Sequence, residues 1–515
     1  VASRLPGYAL GALALLLVWQ GAAMALQGLH ILAGPVEVTA YVIDNAGLLA
    51  RAARTTLANA AAGFVVGNLA AVLLALVILV APPLRGVVAA LALVVFCLPL
   101  VATGPILRVL FGPGAGPQIT VAALAVYYTT LLLLLVGLRA APAAWFDLIR
   151  LYGRGAWTAF VQVRALAAVP YLVAGLQIGA PAAVLGAMVG EFTGAEAGLG
   201  VLALRAMAAL DAPATWALAT VSAGVSMAVY GLIGAAGRRL VPDRPEILLA
   251  ASPQGRGRGA GVVPVVVAAL VLVALWWAAM EAAGLSRFFA KRPDDLWRFL
   301  ITAPQAGANR ALLWAAGAET LALAVPGWLA GLAAGVGLAL ALILSAPVAG
   351  AALPLAVALR AIPIVTTAPL IVLALGRGTV GTVAIVAVMT FFPVFVAALQ
   401  GLRQTPGAVL DIFASYGAGP VRQLVDARLP AMLPAFFAAA RLSVPAAVLA
   451  VTVAEWLATG RGLGNLMALT ASTSNYNLLW SAVVLVTLGS AAGYAAVGAV
   501  ERAVLARLAP EQVRG

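Results

Sequence analysis

The chain has 515 residues, 64% of them hydrophobic and 9% charged, with 30 Lys and Arg against 17 Asp and Glu. Soluble domains carry roughly 25% charged residues, so this composition excludes a water-soluble protein built round one core and points to apolar runs that face lipid. The basic residues are spread through short loops between apolar runs, where they read as topology determinants rather than a nucleic-acid surface, and the single cysteine, Cys97, excludes a disulfide or a cysteine metal site.

In chain order, runs of about 20 apolar residues, the length that crosses a bilayer as a helix, fall near 7–28, 57–81, 87–107, 118–138, 168–190 and 214–236. The first follows Arg4 and is too long for the core of a signal peptide, so it is expected to be a span rather than a cleaved leader. His30, alone in the loop after it, is assigned nothing. The loop at 139–164 carries Arg139, Arg150, Arg154 and Arg164 against Asp147, whereas the loop at 191–213 carries Arg205 beside Glu191, Glu196 and Asp211. The junction 241–260, rich in Pro, Gly and Arg, suits a solvated linker. Beyond it the runs resume near 261–283, 320–344, 351–375, 379–400, 432–454 and 478–500. The fold expected is an all-α polytopic membrane protein of two parallel six-helix repeats, about twelve spans in all. Its parts are a first unit at 1–240, the linker at 241–260 and a second unit at 261–515.

A single register connects the two sets of runs. Asp147, Tyr152, Gly153 and Gly155 match Asp411, Tyr416, Gly417 and Gly419 at an offset of 264 residues (411 − 147). Without a gap, the same offset pairs Thr56 with Thr320, Pro99 with Pro363, Pro170 with Pro434, Glu191 with Glu455 and Trp216 with Trp480. Prolines, glycines, carboxylates and tryptophans held in one register mean duplication. An even number of spans per unit makes the repeats parallel, and the Arg-rich loops then place both termini, the junction and the two Asp/Gly loops in the cytoplasm. The loop at 284–310 opposes this rule with Arg287, Lys291, Arg292, Arg298 and Arg310. With Phe288, Phe289, Trp297 and Phe299 interleaved, it is expected to form an interfacial amphipathic helix.

Transport needs an energy source, and the chain lacks one. A P-loop requires lysine in G-x-x-x-x-G-K-[ST], and Lys291, the only lysine, sits between Ala290 and Arg292. No midspan carboxylate pair suggests an ion relay, which disfavours the alternative of an ion-coupled secondary transporter with parallel repeats. No metal-ligand cluster supports a membrane enzyme. The two Asp/Gly loops remain as the parts best placed to receive force. Each is expected to be a short amphipathic helix broken at glycine, then a second short helix, with prolines where the chain re-enters the membrane.

These loops resemble the EAA loop of ABC-importer permeases, E-A-A-x-x-x-G followed by L-P. Asp147 and Asp411 stand at its Glu, Gly153 and Gly417 at its Gly, and Leu429-Pro430 at its L-P. Leu166 replaces that proline in the first unit, and neither unit keeps the alanine pair. Leu359-Arg360-Ala361-Ile362-Pro363 with Ala368-Pro369-Leu370, and Ala454-Glu455 with Gly462-Leu463-Gly464, are similar to stretches of the nitrate/sulfonate/taurine-type permeases. The resemblance implies a fused pair of permease domains, type I importer-like, in a bacterial inner membrane. It further implies that two ATPase subunits supply ATP and Mg, with none held in this chain, and that an extracytoplasmic binding protein delivers a small solute such as a sulfonate, another organic anion or a pyrimidine-type vitamin precursor. Candidate coupling residues are Asp147, Tyr152, Gly153, Gly155, Asp411, Tyr416, Gly417, Gly419 and Pro430. Candidate pathway residues, chosen as polar groups within runs, are Asn68, Thr103, Thr129, Thr130, Gln177, Arg360, Thr366, Thr367, Arg441 and Ser443. Arg360 heads them because an intramembrane charge is costly, with bracing of the helix at Pro363 as its other role. Arg441 is expected to snorkel.

Overall fold

Runs of Leu, Ala and Val without charge can satisfy their backbone in lipid only by internal hydrogen bonds, which leaves the helix as the local solution. The structure is a computed structural model that describes residues 5–26, 32–112, 114–241, 262–345 and 364–508. Among the described residues every regular element is helical. Eight helices there are long and apolar enough to cross a membrane.

In the first unit these are α3 (Ala46–Val80), α6 (Gly116–Gly137), α8 (Ala156–Glu191) and α10 (Ala212–Leu240). They are interspersed with α1 (Leu5–Ala25), α2 (Pro35–Asp44), α4 (Arg85–Phe96), α5 (Leu100–Phe111), α7 (Ala143–Leu151) and α9 (Leu199–Ala208). The second unit follows the same order. It has α11 (Val262–Ala282), α12 (Pro293–Trp297), α13 (Ala306–Leu344), α14 (Ile364–Leu375), α15 (Thr379–Arg403), α16 (Gly407–Ser415), α17 (Pro420–Leu457), α18 (Gly462–Ser472) and α19 (Tyr476–Leu508).

Three expectations change. The run at 87–107 is not one helix but α4 and α5, broken at Cys97–Pro99 with Pro99 extended at φ −71°, ψ 105°. Proline has no N–H to donate and crowds the turn before it. The chain does not pause before re-entering the membrane either. Each second short helix runs on through a π-helical turn, at 160–165 in one unit and 424–428 in the other, into the long span. The turn forms in the same register with Leu166 as with Pro430, so proline is not its cause. The basic loop 284–310 folds as a small cap rather than a continuous interfacial helix. Arg287 pairs with Asp294 at 2.7 Å, Arg292 with Glu281 at 2.7 Å and Arg298 with Asp294 at 3.1 Å, while Trp480 donates to the Phe289 carbonyl. Most of its cations are neutralised locally, which explains how a basic loop lies opposite the other Arg-rich loops.

α3 meets α6 at close range in the first unit, as α13 meets α15 in the second. A Cβ on Gly63 or Gly67 would lie 2.4 Å from the Ala122 Cβ or 2.6 Å from the Ala123 oxygen, and one on Gly327 would lie 2.6 Å from the Val386 Cβ. Small residues that let backbones approach are a recurrent device of helix packing in lipid. Between units the packing is reciprocal. α5 lies on α17 and α18 of the other unit, and its repeat equivalent α14 lies on α8 and α9.

Candidate functional site

The two Asp/Gly loops are two copies of one backbone motif. α7 ends with Gly153 N–H donating to the Arg150 carbonyl and Arg154 N–H to the Ile149 carbonyl. α16 ends with Gly417 N–H donating to Ala414 and Ala418 N–H to Phe413. These paired bonds close a helix only when the residue after the cap is left-handed. Gly153 and Gly417 have φ of 65° and 69°, a region that residues with a Cβ resist. Gly155 and Gly419 then extend the chain into the next helix. No residue of α7 or α16 is buried. Tyr152 and Tyr416 are 74% and 87% exposed, alongside exposed Trp145, Leu148, Leu151, Trp157, Ile412 and Val421. Asp147 pairs with Arg150 at 3.3 Å on the surface. Pro430 lies within α17 just after its π turn, is half-buried and takes no part in the exposed surface motif.

At the other end of α8 and α17 lies a feature that the sequence marked only as repeat letters. Glu191 is buried, accepts the Thr56 hydroxyl at 2.7 Å on Oε1 and accepts Gly200 N–H at 2.7 Å on Oε2. Thr56 Oγ1 in turn accepts Leu199 N–H at 2.9 Å. In the second unit Glu455 Oε2 accepts Gly464 N–H at 2.7 Å and Thr320 Oγ1 accepts Leu463 N–H at 2.9 Å. Each carboxylate thus holds the first turn of the short helix that follows it, where backbone N–H groups are unpaired and negative charge is favoured. A Cβ on Gly198 would fall 2.2 Å from the Glu191 Cδ, and one on Gly462 2.1 Å from Glu455 Oε1. The two clamps are unequal. Thr320 turns its hydroxyl to the Ala316 carbonyl, Glu319 takes Gly462 N–H at 2.9 Å, and Glu455 Oε1 has no hydrogen-bond partner. The signal that could have found the clamp is a carboxylate at a span end, seven residues before Gly-Leu-Gly, in both units.

The polar residues picked within runs are mostly engaged in helix packing. Asn68 Oδ1 accepts the Thr130 hydroxyl at 2.7 Å while its amide donates to the Phe64 carbonyl. Thr103 bonds back to the Leu100 carbonyl, and Thr129 is half-buried. Ser443 accepts from Trp328 Nε1 at 2.8 Å and donates to the Ala440 carbonyl. Gln177 lies against Gly234, where an added Cβ would meet its amide nitrogen at 2.5 Å. Arg441 does not snorkel. It is 6% exposed, pairs with Glu501 at 3.0 Å and sits 5.7 Å from the Tyr494 ring. The buried acid about two turns before the end of α19 supplies what snorkelling would have sought in water. Tyr128 of the first unit stacks on Phe96 at 4.2 Å, and α4, which carries Phe96, packs on α19, so this patch joins the units. Arg360 and the junction lie outside the described residues, and Thr366 and Thr367 are placed only as positions on α14.

In the cap at 284–310, the hydrogen bond from Arg287 holds the Asp294 carboxyl below its ordinary range and lifts the Arg287 guanidinium above its own. Burial pushes the Lys291 amine down. No group of three or more His, Cys, Asp or Glu among the described residues is placed to hold a metal.

The family model for the binding-protein-dependent transport system inner membrane component matches the chain twice, over residues 63–244 and 331–506. The chain belongs to that family. It is 32% identical over 215 residues to a probable ABC transporter permease protein of Haemophilus influenzae, covering 42% of this chain and 85% of that protein. It is 30% identical over 186 residues to the formylaminopyrimidine transport permease protein ThiX of Halalkalibacterium halodurans, covering 36% and 74%. To the riboflavin transport system permease protein RibX of Chloroflexus aurantiacus it is 31% identical over 144 residues, covering 28% and 54%. Each relative matches less than half of this chain, and the family matches in tandem, so two permease domains are fused here. The chain is a multi-pass permease of an ABC importer, which decides against the ion-coupled carrier. Its function involves ATPase and binding-protein partners at the membrane.

Proposed function

We propose that this one chain forms the complete translocation pathway of its importer, with each unit docking one ATPase subunit through its own exposed loop. The observation that carries the reading is the pair of Schellman-capped helices, α7 and α16, with no buried residue and 264 residues apart in register. Two like surfaces on one side of parallel repeats fit two like partners. Those loops, the junction and both termini then face the cytoplasm, and ATP and Mg sit on the partners, since the chain has no lysine in a P-loop setting. An extracytoplasmic binding protein delivers the solute at the opposite face of a bacterial inner membrane. Relatives named for formylaminopyrimidine and aliphatic sulfonates favour a small organic solute, a pyrimidine-type vitamin precursor or a sulfonate, as cargo.

Co-purification with the ATPase subunits tests the docking. Wild type should retain two ATPase copies per chain, and the chain by itself should not hydrolyse ATP. Gly153→Val and Gly417→Val should each cut retained ATPase to about one copy while the protein still inserts. Full retention in both variants would remove the loops from the interface.

A further inference from the structure

The largest buried apolar cluster is not central to either unit but shared by both. It joins Val184, Met188 and Phe192 of α8 and its end with Leu449, Val451 and Ala454 of α17. All of these lie toward the end of the two long helices remote from the coupling loops. α8 has 36 residues, which puts about 50 Å between its ends. Phe192 and Trp456 are repeat equivalents, and they touch each other, ring centroids 5.7 Å apart at 61°. Equivalent residues of two parallel units can meet only on the axis that relates the units, so this contact marks the middle of the seam. Each ring directly follows a clamp carboxylate, Glu191 or Glu455, that is tied to the next short helix through Gly200 or Gly464.

We propose that Phe192 and Trp456 make the closing contact of the passage on the side that receives solute, and that the Glu191 and Glu455 clamps make each ring move as one body with α9 or α18. The edge-to-face pair seals the axis with apolar surface. The carboxylates, buried and committed to backbone N–H groups, transmit displacement of the short helix to the ring without slack. This assignment rests on the import reading, because it takes the end remote from the coupling loops as the outer one.

Cross-linking tests it on the full chain with its ATPase subunits. In a Cys97→Ala background, Phe192→Cys with Trp456→Cys should be joined efficiently by a short bismaleimide in the absence of nucleotide. Trapping with ATP and vanadate should lower that yield at least threefold as the units part. In the same background, Phe192→Cys alone should react with a membrane-impermeant maleimide, added to the outer face, at least threefold faster when trapped than at rest. Equal cross-linking and equal labelling in both states, with vanadate retained, would overturn the proposal. Failure of the wild-type complex to hydrolyse ATP or retain vanadate would instead overturn the import reading beneath it.

Discussion

The two units agree at their ends and differ in their middles. The Asp/Gly loops share Schellman caps at Gly153 and Gly417 and π turns at 160–165 and 424–428, and the clamps share Glu191–Gly200 and Glu455–Gly464 bonds of 2.7 Å. Between the loops and the clamps the register persists but the chemistry does not. Gln177, Gly234 and Gly237 of the first unit stand where the second has Arg441, Gly498 and Glu501. Phe64 and Gly179 stand where the second has the hydrogen-bonded Trp328 and Ser443, and the bonded Asn68 and Thr130 face Leu332 and Val394. Ends are set by backbone geometry, a left-handed residue or a close approach, that few side chains satisfy. Interiors ask only that volume be filled and polar groups be paired, and several solutions do so equally well.

That contrast can be broken most forcefully at Arg441. Removing one member of a buried ion pair leaves the other charge uncompensated and costs about 3–5 kcal/mol. Arg441→Gln should therefore give the largest fall in melting temperature and yield in detergent. Arg441→Gln with Glu501→Gly, which rebuilds the first unit's arrangement in the second, should recover most of it. Failure of the double variant to recover would show that the interiors are not interchangeable.

A finer test compares the clamps. Glu191 uses both oxygens, so Glu191→Gln strands a buried partner at a cost of about 1–3 kcal/mol. Glu455 has one oxygen without a partner, so Glu455→Gln should change the melting temperature little or raise it. Equal losses at both positions would erase the asymmetry seen between the units.

At the coupling loops the expected stability effect is smaller still. Gly417→Val forces a Cβ into left-handed backbone at a cost of about 1–2 kcal/mol, whereas Gly417→Asn, a residue that visits this region readily, should retain more ATPase in co-purification. If the two variants behave alike, the backbone angle is not what the partner reads. Asp147→Asn is the smallest case. Its partner Arg150 is 3.3 Å away on an open surface, and such pairs contribute about 0–1 kcal/mol, so the melting temperature should not move measurably and ATPase retention should fall only mildly.

Much of this was legible in the letters alone. Charge depletion and run length gave a helical membrane protein, and a 264-residue register of prolines, glycines and acids gave the duplication and the paired Asp/Gly loops. Those signals are local: a span is a length, and a left-handed cap is a glycine at the right place. Three things needed the tertiary structure. Polarity within a run singled out Asn68, Ser443 and Arg441, but only the folded structure shows that Thr130, Trp328 and Glu501 are their partners. The basic cap at 284–310 seemed to defy the charge rule until Asp294 and Glu281 were found against its arginines. The contact of Phe192 with Trp456 joins two residues 264 positions apart. A sequence states that such residues are equivalent, but whether equivalents meet depends on where the axis between the units runs, and that is settled by how whole helices pack.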